Sequence, residues 1–216
     1  LRSSDIVIAT FPKCGTTWMQ QIVLTLLADG DGSKVRQPMG MSPWLEAWVS
    51  NQGLAAFEAW HPEQSGWNGL ENSCDLDPGC CPSRRILKTH APAQMAPWVG
   101  GTERDGMNGA RVIVVTRNPK DAAVSHYHHT IDLPHIFKYN GCWDYFLRKI
   151  WIPGKVESGS FWEWHQSWWQ VYQFGSVDLL WISYEELLSE PEKSSSQVTK
   201  FIGLEPTTEL TKGVLA

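Results

Sequence analysis

The chain has 216 residues, of which 42% are hydrophobic, 12% aromatic and 19% charged, so it can bury a real core and is not a disordered tail, a collagen or a coiled coil. Its 18 lysines and arginines against 23 aspartates and glutamates give a formal net charge of −5. That balance argues against a general nucleic-acid binder working by phosphate neutralisation, while leaving room for a local basic pocket. No apolar run approaches the roughly 20 residues of a membrane span, and no secretory signal pattern opens the chain. The expectation is one soluble, cytoplasmic domain without a nucleic-acid or membrane partner.

The first element is a short apolar, β-branched run, Asp5 to Phe11, which suits a strand buried on both faces of a parallel sheet. From Thr16 the period changes. Trp18, Met19, Ile22, Val23, Leu26 and Leu27 recur at helical spacing, and Gly30 is placed to stop the helix. Arg85 to Lys88 reads as a weaker strand. Arg111 to Thr116 reads as a strong one, followed by Arg117-Asn-Pro-Lys-Asp and a helical stretch from Ala122 to His129, with Pro119 suited to a first helical turn. Asp178 to Ser183 is a further weak strand, before a helical Glu185 to Leu188 and a helix from about Pro191 to Ile202 that ends at Gly203. Residues 31–83 and 131–160 carry no sustained period and read as long loops with short helices.

Alternating strands and helices predict an α/β fold: a single domain over residues 1–216 with a central parallel sheet and helices on both faces. Ligands in such folds sit at the carboxyl ends of the strands. That rule directs attention to Pro12–Thr17, Lys88–His90, Arg117–Ser125 and Tyr184.

Cys14, Cys74, Cys80, Cys81 and Cys142 form an odd set without paired CxxC spacing, which fits a reducing compartment and gives no zinc signature. His126, His128 and His129 read as a helix face packed near the site rather than as metal ligands, so no metal is expected. The chain has 13 tryptophans. Trp162, Trp164, Trp168 and Trp169 fall in a helix-like stretch and read as mainly core, whereas Trp44, Trp48, Trp60 and Trp67 fall in loops above the strand ends and are candidates to line an apolar pocket.

The segment Phe11-Pro-Lys-Cys-Gly-Thr-Thr-Trp18 lies where a strand turns into a helix. Its backbone N–H groups and the positive end of the helix dipole can hold an anion, with Lys13 and two threonines adding donors. It is not a Walker A loop, because the lysine precedes the single glycine. Thr116 and Arg117 stand where a magnesium-dependent NTPase usually places a metal-binding aspartate. A phosphate site with side-chain cations and no evident magnesium ligand points away from ATP chemistry.

Phe11-Pro-Lys-Cys-Gly-Thr-Thr-Trp, Ile86-Leu-Lys-Thr-His90 and Arg117-Asn-Pro-Lys-Asp-Ala-Ala-Val-Ser125 closely resemble the signatures of the cytosolic sulfotransferases, enzymes that use 3′-phosphoadenosine 5′-phosphosulfate (PAPS). The three motifs stand in the family's order, and Trp168-Trp169 and Ser183-Tyr-Glu-Glu fall where similar segments occur. The resemblance covers nearly the whole chain and is weakest over residues 51–83. It implies a P-loop-like phosphate-binding loop in which Lys13, Gly15, Thr16, Thr17 and the backbone at Cys14 bind the 5′-phosphosulfate and Trp18 packs on the adenine. It further implies that Arg117 and Ser125 hold the 3′-phosphate, that Tyr184 lies near the adenine, and that His90 is the general base, with Lys88 and Lys13 stabilising charge.

The chemistry calls for the same residue types. Negative charge grows on the bridging oxygen as the S–O bond breaks, and a positioned lysine opposes it. A histidine near neutral pH can take the acceptor proton, an effect on the order of 10² to 10⁴ in rate, and an arginine fork suits a dianionic phosphate. The implied function is sulfuryl transfer from PAPS to a hydroxyl or amine of a small acceptor, apolar or aromatic in character, without a metal. A homodimer is compatible with the resemblance. Two rivals are a PAPS- or PAP-binding protein without turnover and, further off, a nucleotide kinase with a degenerate phosphate loop.

Two departures stand out. Cys14 replaces a serine common in the family, which removes a hydroxyl but keeps the backbone N–H. The family's basic, glycine-rich segment that closes on the 3′-phosphate does not appear before Ala216, so the expectation is a catalytic domain lacking part of its cofactor clamp.

Overall fold

The computed structural model describes residues 1–35, 38–47, 84–96 and 106–215. Among them, β1 (Ile6–Thr10), β2 (Ile86–Thr89), β3 (Arg111–Thr116) and β4 (Leu179–Ser183) form one parallel sheet in the order β2-β1-β3-β4. Ile6 pairs with Ile86 on one side of β1 and with Arg111 on the other, and Val112 of β3 pairs with Leu179 of β4. All five residues of β1 are buried, as its unbroken apolar run predicts for a central parallel strand.

Side chains alternate across the sheet and feed two separate cores. Val7, Ala9, Leu87, Val112 and Val114 point into one face, with Ala122, Ala123, Phe146, Trp151, Trp164 and Trp168. Ile6, Ile8, Ile86, Ile113 and Val115 point into the other, with Met19, Ile22, Val23, Leu26, Val198 and Ile202. The first face is covered by α2 (Pro119–Asp132), a π-helical turn Phe146–Trp151 and α3 (Phe161–Phe174); the second by α1 (Thr16–Leu27) and α5 (Pro191–Phe201). Between β4 and α5 runs the short α4 (Tyr184–Ser189).

Local chemistry sets the helix starts. Asn118 caps α2 by accepting from Lys120 N–H, with Pro119 in the first turn, and Ser183 and Glu186 form a full capping box on α4. Ser160 caps α3, and Gly175 ends it in the left-handed conformation at φ 64°. At the opposite edge of the sheet from the strand ends, Asp5 accepts from Arg85 Nε at 2.9 Å and from Arg85 Nη2 at 2.6 Å, with both side chains buried. This pair fixes β2 beside β1.

The fold agrees with the sequence expectation in class, strand direction and coverage of both faces. One expectation needs correction: Trp162 and Trp169 are not core, being 51% and 43% exposed. A helix has about 3.6 residues per turn, so Trp164 and Trp168 share the buried face while Trp162 and Trp169 lie on the other. Trp48, Trp60, Trp67, Cys74, Cys80 and Cys81 lie outside the described residues. Among the described residues, no helix is long and apolar enough to cross a membrane.

Candidate active site

Strand order places the site. β2 lies on one side of β1 and β3 on the other, so the chain changes direction at β1, and the loops leaving β1 and β3 come together at their carboxyl ends. The β1 loop makes a tight turn, Cys14 N–H donating to the Phe11 carbonyl at 3.1 Å, and passes through left-handed backbone at Lys13 (φ 70°) and Gly15 (φ 105°). Gly15 is the N-cap of α1 and supplies no side-chain cap. The N–H groups of the first turn therefore remain available to an anion.

Around this uncapped turn the structure gathers two cations and two aromatic rings. Arg117 Nη1 donates to the Lys13 carbonyl at 2.9 Å, and its guanidinium lies over the Tyr184 ring at 4.3 Å. Tyr184 in turn meets Trp18 edge-on at 5.1 Å. Burial, reinforced by Arg117 and partly offset by Asp132, pulls the Lys13 ammonium below its ordinary value. Arg117 Nε is buried and has no hydrogen-bond partner among the described residues. Two cations in mutual repulsion, a buried orphan N–H and an uncapped helix start fit an anionic group with several acceptor oxygens.

The second part of the site is built on β2. His90 Nδ1 lies 2.8 Å from the Thr10 carbonyl and 3.3 Å from Thr10 Oγ1. A carbonyl only accepts, so Nδ1 carries the proton in the neutral ring and Nε2 keeps its lone pair. Burial lowers the pKa of His90, as does Lys88, while the bond to Thr10 and the carboxylates Glu46 and Glu157 raise it; the net direction is down. The ring is therefore neutral at pH 7 and able to accept a proton at Nε2. Lys88, also held below its ordinary value chiefly by burial, lies over Trp44 at 5.2 Å, and Trp44 meets the His90 ring edge-on at 5.3 Å.

Thr10 links the two parts. Its carbonyl holds His90, and its hydroxyl lies 2.6 Å from Thr16 Oγ1 in the first turn of α1. His90 and the uncapped loop are thus fixed by one residue at the end of one strand.

A family model described as "Sulfotransferase domain" matches residues 3–215. The chain belongs to the sulfotransferase domain family. Sulfotransferase 1B1 of Mus musculus is 32% identical over 203 residues, covering 92% of this chain and 58% of that protein. Sulfotransferase 1A1 of Canis lupus familiaris is 31% identical over 201 residues, covering 92% of this chain and 59% of that protein. The structure of retinol dehydratase in complex with androsterone and inactive cofactor PAP superposes with a TM-score of 0.70 at 19% identity, covering 99% of this chain and 64% of that one. A mouse sulfotransferase complexed with PAP gives a TM-score of 0.66 at 23% identity, covering 99% of this chain and 62% of that one. The chain therefore spans under two thirds of each of these proteins, and the two solved structures share its fold.

Of the residues singled out from the sequence, Lys13, Cys14, Gly15, Thr16, Thr17, Trp18, Arg117 and Tyr184 form one neighbourhood, with Lys88 and His90 beside it. Ser125 is half-buried on α2, eight residues after Arg117, with no side-chain hydrogen bond among the described residues. Tyr184 is not core but supports Arg117 and Trp18. Cys14 is buried, and burial pushes its thiol up to about 12, so it is unreactive packing beneath the loop.

Several site residues carry no signal in the sequence. Glu46, Thr10, Trp164 and Glu157 all act on His90 or its neighbours from distant positions. Glu157 also pairs with buried His126 at 3.0 Å, which places a carboxylate against a histidine that stands without one in the local sequence.

Proposed function

We propose that this family member transfers a sulfuryl group from PAPS to a hydroxyl or amine of a small acceptor. The reaction breaks the S–O bond to the 5′-phosphate, forms a bond from sulfur to the acceptor, and releases PAP and the acceptor's proton. The single observation that carries this reading is the tie through Thr10, which holds a neutral, Nε2-accepting histidine beside an uncapped, lysine-bearing anion loop. An anion-binding protein without group transfer has no need of a base fixed at that point. The relatives named sulfotransferases and the PAP-bound members of the fold support it further.

In this reading His90 Nε2 takes the acceptor's proton, and Lys13 with the first turn of α1 opposes the charge that grows on the 5′-phosphate oxygen. Lys88 opposes charge on the sulfuryl oxygens. Gly15, Thr16, Thr17 and the Cys14 N–H complete the loop. Arg117 and Ser125 hold the 3′-phosphate, and Trp18 with Tyr184 receives the adenine. Trp44, 38% exposed and touching both His90 and Lys88, provides an aromatic wall for the acceptor.

Labelled PAPS with a panel of phenols, alcohols and amines tests the proposal. Lys13→Ala and His90→Ala each nearly abolish transfer, and His90→Ala keeps PAP binding. Turnover that instead needs magnesium and ATP, with no thermal shift from PAPS, would sink it.

A further inference from the structure

We propose that Glu46 and Trp164 are positioning residues that grip the His90 peptide from opposite sides, one at its N–H and the other at its carbonyl, and so act on the reaction through His90. The inference rests on the reading of His90 as the base. β2 ends at Thr89, where the sheet stops supplying partners. Beyond it the backbone bends away, and side chains take over.

The His90 N–H donates to Glu46 Oε1 at 2.8 Å, and the same oxygen accepts from Thr89 Oγ1 at 2.8 Å. From the other side Trp164 Nε1 donates to the carbonyls of His90 and Ala91, at 3.0 Å each, while Trp168 Nε1 donates to the Ala91 carbonyl at 3.1 Å. Trp164 is 1% exposed and cannot turn away. With Nδ1 held on Thr10, His90 is fixed at its backbone N–H, its backbone carbonyl and one ring nitrogen. A ring on an untethered loop would sample several rotamers, and general-base transfer tolerates little misplacement.

Glu46 reaches this point because the segment before it runs alongside β2: Trp44 bridges Lys88, and Lys88 N–H donates to the Pro43 carbonyl at 3.0 Å. A neutral amide could accept the same two bonds, so the carboxylate does something further. The groups acting on His90 are Lys88 from β2, Glu46, Glu157 from the turn before α3, and the Thr10 carbonyl; the two carboxylates favour its protonated form and Lys88 opposes it. Glu46 raises the proton affinity of Lys88 as well. Its charge thus keeps the buried His90 basic enough to accept a proton.

Glu46→Gln separates charge from geometry, and Trp164→Phe removes the indole donor while keeping an aromatic ring. The titration of His90, followed by NMR on the PAP-bound protein and assigned by its absence in His90→Ala, moves to lower pH in Glu46→Gln. It is read without acceptor, so it stands whether or not turnover is found. In turnover, the acid limb of the kcat/KM profile of Glu46→Gln moves the same way, and Trp164→Phe loses about 10- to 100-fold in kcat with PAP affinity within about twofold. An unchanged titration in Glu46→Gln, an unchanged kcat in Trp164→Phe, or a loss of PAP affinity equal to the loss of kcat overturns the proposal. Absence of transfer by the wild-type protein to every acceptor, with the titration shift present, instead removes the reading of His90 as a base in sulfuryl transfer.

Discussion

Arg117 donates to the carbonyl of Lys13 at 2.9 Å, so the strand-end arginine of β3 holds the left-handed backbone that carries the loop lysine after β1. The contact explains how a residue 104 positions away in sequence governs the loop. It also lets one guanidinium do two things: fix Lys13 through Nη1 and rest on Tyr184.

Arg117→Lys is therefore not conservative. A lysine keeps the charge but loses the planar fork, the stacking and the backbone bond. PAP affinity, measured by calorimetry, is expected to fall by about 10- to 100-fold, matching one or two lost charge-assisted hydrogen bonds. An affinity within twofold of wild type would remove Arg117 from the anion site.

Gly15 is constrained twice. Its φ of 105° is unfavourable for residues with a Cβ, and a Cβ there would lie 2.9 Å from Tyr184 Cδ2. Gly15→Ala must displace Tyr184 or unwind the start of α1, at a cost of about 1–3 kcal/mol. For a chain of this size that corresponds to a melting temperature lower by about 2–4 °C per kcal/mol. Calorimetric melting with and without PAP should show both a lower transition and a smaller PAP-induced shift; wild-type values for both would refute the steric argument.

How much of this could be read from the sequence follows from where the information lies. The β1 loop, the His90 strand end and Arg117 were legible because each combines an apolar β-branched run with polar residues at its carboxyl end, a local pattern. The strand-end rule points to Tyr184 as well, but its place near the adenine comes only from the resemblance, since a tyrosine after a strand is commonly core. Glu46 and Trp164 were not legible, because a side chain that serves another residue's backbone leaves no spacing signature: Glu46 lies 44 positions from His90, and Trp164 lies 74. The exposure of Trp162 and Trp169 follows from the helical period, which sets the four tryptophans on two faces of α3 even though all four share one helix-like stretch.

Cys14 and Cys142 should differ sharply in reactivity. Cys14 is fully buried with its thiol pushed up to about 12, whereas Cys142 is exposed. Thiolate is the reactive form, so brief iodoacetamide treatment of the folded protein at pH 8 labels Cys142 and spares Cys14, as peptide mass spectrometry will report. PAP should leave Cys14 labelling unchanged, because burial and not ligand protects it. Labelling of Cys14 that PAP suppresses would place the thiol on the open face of the loop.

Asp5 and Arg85 form a buried pair at the end of the sheet away from the site. Asp5→Ala removes both carboxylate oxygens that accept from the buried Arg85 guanidinium, a change expected to cost about 3–5 kcal/mol. Urea unfolding should show a lower midpoint with an unchanged slope, while PAP affinity of the folded protein stays within twofold. A large loss of affinity without loss of stability would contradict the division of labour between the two ends of β1.

Acid should weaken the fold first through histidines. His90, His129 and His165 are each held below 6.5, chiefly by burial. Below that value the unfolded chain binds protons that the folded chain refuses, so stability rises with pH across this window. It is fully present above pH 6.5 and is lost as pH falls toward the folded-state values. The carboxyls of Glu157 and Glu186 are held below 4.5, and their contribution disappears only at lower pH. Their causes differ: burial alone would raise Glu157, but its bond to His126 prevails, whereas Glu186 is lowered chiefly by the Ser183 backbone N–H. Melting temperature should therefore be flat from pH 8 to 7, then fall from about pH 6.5 to 5, before the lowered carboxyls of Glu157 and Glu186 are protonated. Replacing His90 and His165 together by glutamine removes two of the proton-refusing groups and should flatten that descent; an undiminished slope in the double variant would assign the acid sensitivity elsewhere.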